Sequence, residues 1–277
     1  MESTSNPSFS VLMSLYIKER PEFLRESLES VFYQTLKPDE VVMVLDGSIT
    51  EELKEVVNEY SGKYPQLKIV ALSKNQGLGN ALNEGLKYCS NELVARMDTD
   101  DVCFPNRFEK QIRYMVDHPQ TDICGSWVDE FENSTEEVIS TRQVPENNTD
   151  IASFIKGRNP FNHPSVMFRK SAVLKAGGYK HFHLLEDWYL WARMFASGAN
   201  MHNIQQSLHY FRTSKDMMKR RGGIKYAQSC KALFKSFLKL GIIDKKDYLI
   251  YSSIKYLVAI MPNKLRSFIY STFLRSK

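Results

Sequence analysis

The chain reads as an α/β protein: a mostly parallel sheet flanked by helices, followed by a basic helical C-terminal appendage. Three observations predict this. Short apolar runs alternate with segments of helical periodicity through the first 120 residues, the pattern of strand–helix–strand units with right-handed crossovers. Polar or acidic residues follow directly on several of these runs, at the carboxyl strand ends where such sheets bind ligands. The charge is also divided unevenly: from Lys215 onward there are 15 Lys and Arg against 3 Asp and Glu, while residues 1–214 carry 22 against 29.

The elements follow in order. Residues 8–16 (SFSVLMSLY) form a buried strand, and residues 21–33 a helix with Leu24, Leu28, Val31 and Phe32 on one face. After Pro38, residues 40–45 (EVVMVL) have the continuous apolar character of a buried parallel strand, which Asp46-Gly47 ends. Thr50 caps a helix over 51–60. Residues 67–72 form a third strand, 75–79 a polar glycine-containing turn, and 80–88 a helix. Residues 93–97 form a fourth strand that runs into Asp98-Thr99-Asp100-Asp101, and a helix covers 104–118. Beyond it, strands are expected at 122–132, 137–144, 163–169 and 205–212, a loop at 146–149, and a helix at 185–197. From Gly222 the chain is helical with mixed apolar and basic character.

Length and composition fit one large domain or a domain with an appendage: 277 residues, 43% hydrophobic and 25% charged. No apolar run approaches the roughly 20 residues of a spanning helix. The first residues, MESTSNPSFS, lack the basic and apolar regions of a signal peptide. Cys89, Cys103, Cys124 and Cys230 have no CxxC spacing and are expected as buried free thiols in a reducing cytoplasm. The acidic body argues against a nucleic-acid binder, and the basic tail points to an anionic partner such as a membrane surface. Residues 75–79 (NQGLG) match neither a Walker loop nor GxGxxG after the first strand, and no GxSxG elbow occurs.

The residues that bear chemistry stand at strand and helix ends. Asp98, Asp100 and Asp101 repel one another unless a cation neutralises them, and a hard divalent ion takes such oxygens together with phosphate. The alternative is a solvated acidic loop that caps the next helix. Asp46 is placed to accept hydrogen bonds from a base or ribose, or simply to make a turn. Tyr16 offers a face for stacking, or is a half-buried strand end. Glu186 and Asp187 open an aromatic helix, either as caps or with one acting as general base toward an acceptor hydroxyl. Trp188 and Trp191 pack in the core or wall a sugar site. His163 lies between two prolines, in a site or as a structural histidine, and His181 and His183 lack a third metal ligand.

In this order the residues resemble the family 2 glycosyltransferases, which have the GT-A fold, over about residues 8–212. SLESVFYQT (27–35), the strand 41–47 with its Asp, NQGLGNALN (75–83), DTDDVCFPNR (98–107) and EDWYLW (186–191) follow the family's motifs. Ile17 departs from them, standing where Asn is usual. VARMDTDD, NPFNHPSVMFRK and GGYKHFHLLEDWYLW are similar to bacterial O-antigen and exopolysaccharide transferases.

The resemblance implies a nucleotide-sugar half (1–120), an acceptor half (121–214) and a tail (215–277). Tyr16 and Asp46 then hold the uracil and Asp98 the nucleoside. Asp100, with Asp98 and Asp101, holds Mn²⁺ or Mg²⁺. Arg107, with Arg96, lies on the phosphate side of the donor or is structural. Asp187 is the catalytic base with Glu186 beside it, and His163 and Trp188 face the acceptor. The implied reaction is inverting transfer of galactose or glucose from a UDP-hexose to a GlcNAc- or GalNAc-type sugar on undecaprenyl diphosphate. The product is β-linked, with the 3-hydroxyl as expected position, and the enzyme is peripheral on the inner face of the inner membrane. A nucleotidyltransferase and a non-catalytic carbohydrate-binding protein on the same fold are the rival readings.

Overall fold

Strands buried on both faces are largely apolar, and three of the first four are buried at nearly every position, the edge strand over 67–71 less so. In the computed structural model, which describes residues 7–214, 220–262 and 266, β1 (Phe9–Leu15), β2 (Glu40–Leu45), β3 (Leu67–Ala71) and β4 (Leu93–Met97) pair in parallel in the order β3-β2-β1-β4. The crossovers are α1 (Pro21–Phe32), α2 (Glu51–Lys63) and α3 (Leu78–Tyr88), and α4 (Arg107–Asp117) follows β4. Pro21 opens α1 at its first turn, where a missing N–H costs nothing, and Thr50 Oγ1 accepts from Leu53 N at the start of α2.

Alternation along each strand sends neighbouring side chains to opposite faces. Val11, Met13, Val41 and Met43 pack with Leu24, Leu28, Val31, Val56, Phe108 and Ile112 on one side. Leu12, Val42 and Val44 pack with Ala81, Leu82, Leu86 and Trp191 on the other.

The sheet continues past β4 with mixed direction. β5 (Val102–Cys103), β6 (Ile123–Phe131), β7 (Ser140–Arg142), β8 (Met167–Arg169) and β9 (Met201–Arg212) complete nine strands, ordered β3-β2-β1-β4-β8-β6-β9-β5 with β7 on the side of β6. β8 is antiparallel to both β4 and β6, whereas β6 and β9 are parallel with register shifts from Ser126 to Val128. Between them lie α5 (Asn148–Phe154), a 3₁₀ turn (His163–Ser165), α6 (Lys170–Lys175) and α7 (Glu186–Ala196).

The sequence reading fails where elements are short or held by tertiary contacts. The two-residue β5 and the six-residue α6 are too brief to show a period. The strand expected over 137–144 shrinks to β7. The loop expected over 146–149 instead starts α5, with Asn147 Oδ1 accepting from Asp150 N at 3.0 Å. The strand expected over 163–169 begins with the 3₁₀ turn, and β9 starts four residues before its expected Gln205. All four cysteines are free and buried, as their spacing suggested.

The basic part is not a separate appendage where it is described. Residues 215–219, at the expected boundary, lie outside the described residues, as does most of the aromatic–basic stretch at 265–274. α8 (Ile224–Lys239) and α9 (Lys245–Ile260) form an antiparallel-type pair whose Tyr226, Cys230, Leu233, Phe234, Phe237 and Ala259 join the same apolar cluster as Trp188 and Trp191. Lys231, Lys235 and Lys239 face solvent on α8. No helix among the described residues is long and apolar enough to cross a membrane.

Candidate active site

Parallel pairing brings three carboxyl strand ends side by side. Leu15 and Leu45 are in register, Met13 is in register with Met97, and Asp46 N donates to Leu15 O at 2.8 Å. Tyr16, Asp46 and the Asp98–Asp101 loop therefore share one edge. Tyr16 is 41% exposed, a ring available for stacking.

Asp46 is almost fully buried and organises the next loop. Its Oδ1 accepts from Gln76 N at 2.7 Å, and its Oδ2 accepts from Gly77 N at 3.0 Å and Asn75 Nδ2 at 2.9 Å. Gly47 allows this approach. It has φ +88°, and a Cβ there would lie 2.6 Å from Asn75 N, so any side chain would push the loop away.

The carboxylates of Asp98, Asp100 and Asp101 lie with ligand oxygens within 4.8 Å of one another. The donor set is all oxygen and fits a hard divalent ion. Burial, then the nearby Asp98 and Glu19, pushes Asp100 up to about 7, the cost that a cation there would relieve. Asp98 is ion-paired with Arg96.

Asp101 differs from its neighbours: it is fully buried, and both oxygens are engaged. Oδ2 is 2.8 Å from His209 Nε2, and Oδ1 accepts from Arg212 N at 2.7 Å. Behind His209 stands Arg107, whose Nη1 is 3.0 Å from His209 Nδ1. Burial, then the guanidiniums of Arg107 and Arg96, holds His209 well below the usual histidine range. The ring is therefore neutral, with Nδ1 accepting from Arg107 and Nε2–H donating to Asp101.

Arg107 is buried, which favours the structural of its two readings over the phosphate-side one. It has no exposed surface, and its Nη2 donates to Arg96 O at 2.7 Å and Val166 O at 3.3 Å while Nε donates to Gln111 at 3.0 Å. It braces the acidic loop from behind and does not reach a bound nucleotide. Asp101 likewise anchors the loop from beneath, through His209 and Arg212. Arg212 also donates to Asp100 O at 2.7 Å and pairs with Glu26. Neither His209 nor Arg212 was marked by a motif. Their one sequence signal is a basic residue on the last strand, opposite an acidic loop.

A cavity of about 320 Å³ joins this edge to α7, with Asp98 and Arg96 at one end and Glu186, Asp187 and His163 along it. Glu186 and Asp187 occupy the first turn of α7, where the helix dipole favours negative charge. Leu184 precedes them with φ +61°, the one left-handed non-glycine among the described residues. Asp187 Oδ2 accepts from Asn159 Nδ2 at 2.6 Å, a contact no motif suggested. Burial raises Asp187 above its ordinary value, and burial followed by the Asp187 charge pushes Glu186 up to about 7.

His163 also lines the cavity. It shares a 3.0 Å hydrogen bond with the Tyr179 hydroxyl, and burial holds it well below its usual range. Trp188 gives one face to the cavity wall, but it is mainly a core residue. Its Nε1 donates to Ile155 O at 3.2 Å, and its ring meets Phe234 and Phe237 edge-on. His181 and His183 join no metal-ligating group among the described residues.

α3 packs against the Glu186 side of the cavity. Gly79 lies against Glu186, where an added Cβ would be 3.4 Å from the Glu186 Cβ, and Asn83 Oδ1 accepts from Tyr179 N at 3.1 Å. A parallel sheet edge carrying an all-oxygen acidic cluster, facing a second carboxylate pair across one cavity, is the arrangement of a nucleotide-sugar-dependent transferase.

Comparison with known proteins agrees. Residues 10–178 match Glycosyl transferase family 2, and the chain belongs to that family. It is 42% identical over 274 residues to the UDP-Gal:alpha-D-GlcNAc-diphosphoundecaprenol beta-1,3-galactosyltransferase of Escherichia coli, covering 99% of this chain and 98% of that one. It is 43% identical to the amylovoran biosynthesis glycosyltransferase AmsE of Erwinia amylovora, covering 95% and 97%. The fold matches residues 1–349 of S. aureus TarS in complex with UDP-GlcNAc, with a TM-score of 0.70 at 17% identity over 96% of this chain and 76% of that one. The fold is thus GT-A and the protein is a glycosyltransferase, which removes the nucleotidyltransferase and non-catalytic readings.

Glu186 yields a prediction of sign. An acid whose pKa is raised on folding binds more protons folded than unfolded, so its penalty is absent below about pH 4.5 and complete above about 7. Without metal or nucleotide, Glu186→Gln gains on the wild type by about 2 kcal/mol between pH 5 and pH 8. Denaturant unfolding at the two pH values measures this, and a gap that does not widen contradicts it.

Proposed function

We propose that the protein transfers galactose or glucose from a UDP-hexose to a GlcNAc- or GalNAc-type sugar on undecaprenyl diphosphate, with inversion, in O-antigen or other surface-polysaccharide synthesis. The observation that carries the reading is the single cavity lined by both Asp98 and the Glu186–Asp187 pair. The near full-length identity to the E. coli galactosyltransferase supports the donor, the acceptor and the β-1,3 linkage.

On this reading Tyr16 stacks on the uracil beside Asp46, and Asp98 contacts the nucleoside. Asp100 and Asp98 would hold Mn²⁺ or Mg²⁺, with Asp101 fixing the loop. When bound, the ion offsets negative charge on the diphosphate.

The acceptor enters along Glu186, His163 and the Trp188 wall. Asp187, made more basic by burial and oriented by Asn159, takes the proton of the acceptor hydroxyl. That oxygen bonds to the anomeric carbon from the face opposite the leaving group. The bond from carbon to the diphosphate oxygen breaks, and UDP leaves with its electron pair. One displacement turns an α-linked donor into a β-linked product.

A membrane-borne acceptor calls for peripheral attachment. The basic tail remains the proposed region, but α9 supplies the more specific surface. Leu249, Ile250, Ile254 and Leu257 are each 43–64% exposed and share a helical face, with Lys245 and Lys246 at its start. Truncating the chain before α8 would strip core residues from Trp188, so point changes are the sound test.

Asp187→Asn lowers transfer from UDP-galactose to a lipid-diphosphate GlcNAc acceptor by about 10²–10⁴-fold while UDP still binds, and chelating divalent ions stops the wild type. A fully active variant removes Asp187 as the base, and turnover indifferent to chelation removes the metal. Ile254→Glu combined with Leu257→Glu weakens flotation with vesicles rich in phosphatidylglycerol without changing the melting temperature. Undiminished flotation moves the membrane contact elsewhere.

A further inference from the structure

The cavity has a second charged end that the reaction above does not use. Arg142 on β7, Arg158 after α5, Arg221 before α8 and Lys255 on α9 all line it. These four come from separate stretches of chain, so only the folded structure gathers them. Neither Arg142, Arg221 nor Lys255 forms an ion pair with a described residue, and the Lys255 ammonium lies 5.5 Å from the Trp188 ring centre.

Their charges act on one another. Burial, then Arg221, pushes Arg142 down to about 10, and burial with Arg158 and Arg221 lowers Lys255. The acids of the cavity only partly offset this. Asp98 is paired with Arg96, and of the remaining acids Glu130 and then Asp187 act on Arg142, fewer negative charges than the cluster has positive ones. Gathered, desolvated cations are costly, and a multiply charged anion bound among them repays that cost.

Two anions offer themselves, the donor diphosphate and the acceptor diphosphate, and position separates them. The cluster couples to Asp187: Arg142 feels its charge, and Asp187 feels Arg221. Arg96 acts on Asp187, Asp100 and Asp101 alike, but no cation of the cluster is among the main influences on Asp100 or Asp101. Lys255 also belongs to α9, the helix whose opposite face exposes Leu249, Ile250 and Ile254 for a lipid chain.

We propose that Arg142, Arg221 and Lys255, with Arg158 beside them, bind the diphosphate of the lipid-linked acceptor and so set its sugar hydroxyl against Asp187. This rests on the acceptor class proposed above. It names a subsite in the same cavity, built from residues outside the metal-binding loop.

The test is calorimetric binding to the full chain with UDP and Mn²⁺ at saturation. The probes are GlcNAc-α-diphosphate carrying a short alkyl chain and the same alkyl glycoside without phosphate. Wild type binds the diphosphate probe at least tenfold more tightly than the glycoside. Arg142→Gln and Lys255→Gln each weaken the diphosphate probe about tenfold, while glycoside affinity, UDP affinity and melting temperature hold. Arg142→Lys retains part of the binding. Equal binding of the two probes by wild type overturns the proposal, as does wild-type affinity in both Gln variants. A matching loss of UDP affinity also overturns it, by assigning the cluster to the donor. If the probe binds through the cluster but accepts no hexose, the subsite stands and the acceptor proposed above is wrong.

Discussion

The site depends on a buried cation with no carboxylate in direct contact. Arg107 lies wholly inside the protein, and a guanidinium there costs several kcal/mol unless its donors are met. They are met by Gln111, by the carbonyls of Arg96 and Val166, and by neutral His209. The acid lies one step away across the imidazole: Asp101, whose carboxyl is held well above its ordinary value by burial and then by Asp100 and Asp98. Positive charge, neutral ring and acid form a line that starts on α4, crosses β9 and ends in the loop after β4. The acidic loop and the start of α4 are thereby held to a strand about 100 residues later, and the oxygens of Asp98 and Asp100 are presented without having to support their own loop.

Much of the parallel first half was legible in the sequence. β2 and β4 have the ends read from their apolar runs, because a strand covered on both faces has no polar alternation to blur it. The acidic loop and the Glu186–Asp187 pair were readable because like charges packed together need an external reason. The role of NQGLGNALN was less so. Its glycines suggested a turn, yet Asn75 and Gly77 serve Asp46, while Gly79 and Asn83 meet residues about 100 positions later. Spacing announces such a segment, but only the fold reveals which partner each residue meets.

Where two readings stood open, burial decides between them. Arg107, Asp101 and Trp188 each had a reading toward a ligand and a structural one, and their burial favours the structural one. An arginine after a DxDD segment looks the same in a sequence whether it faces phosphate or braces a loop. Likewise, Lys255 and Arg142 carried no signal, since a cluster drawn from β7 and α9 has no spacing to recognise. The charge split at Lys215 was real as a count, but it did not mark a boundary in the packing. The lysines of α8 face water, while the aromatic residues between them complete the core.

That shared packing bears on how such enzymes diversify. Trp188 touches Phe234 and Phe237 with its ring and stands next to Asp187 in the chain. The C-terminal helices therefore cannot be exchanged between relatives as a cassette. A chimera joined at residue 215 would inherit one partner's indole and the other's phenyl rings, and any mismatch would fall one residue from the Asp187 carboxylate in the cavity. Acceptor preference in this architecture should change through matched substitutions on α7, α8 and α9, so that the three helices co-evolve as one unit.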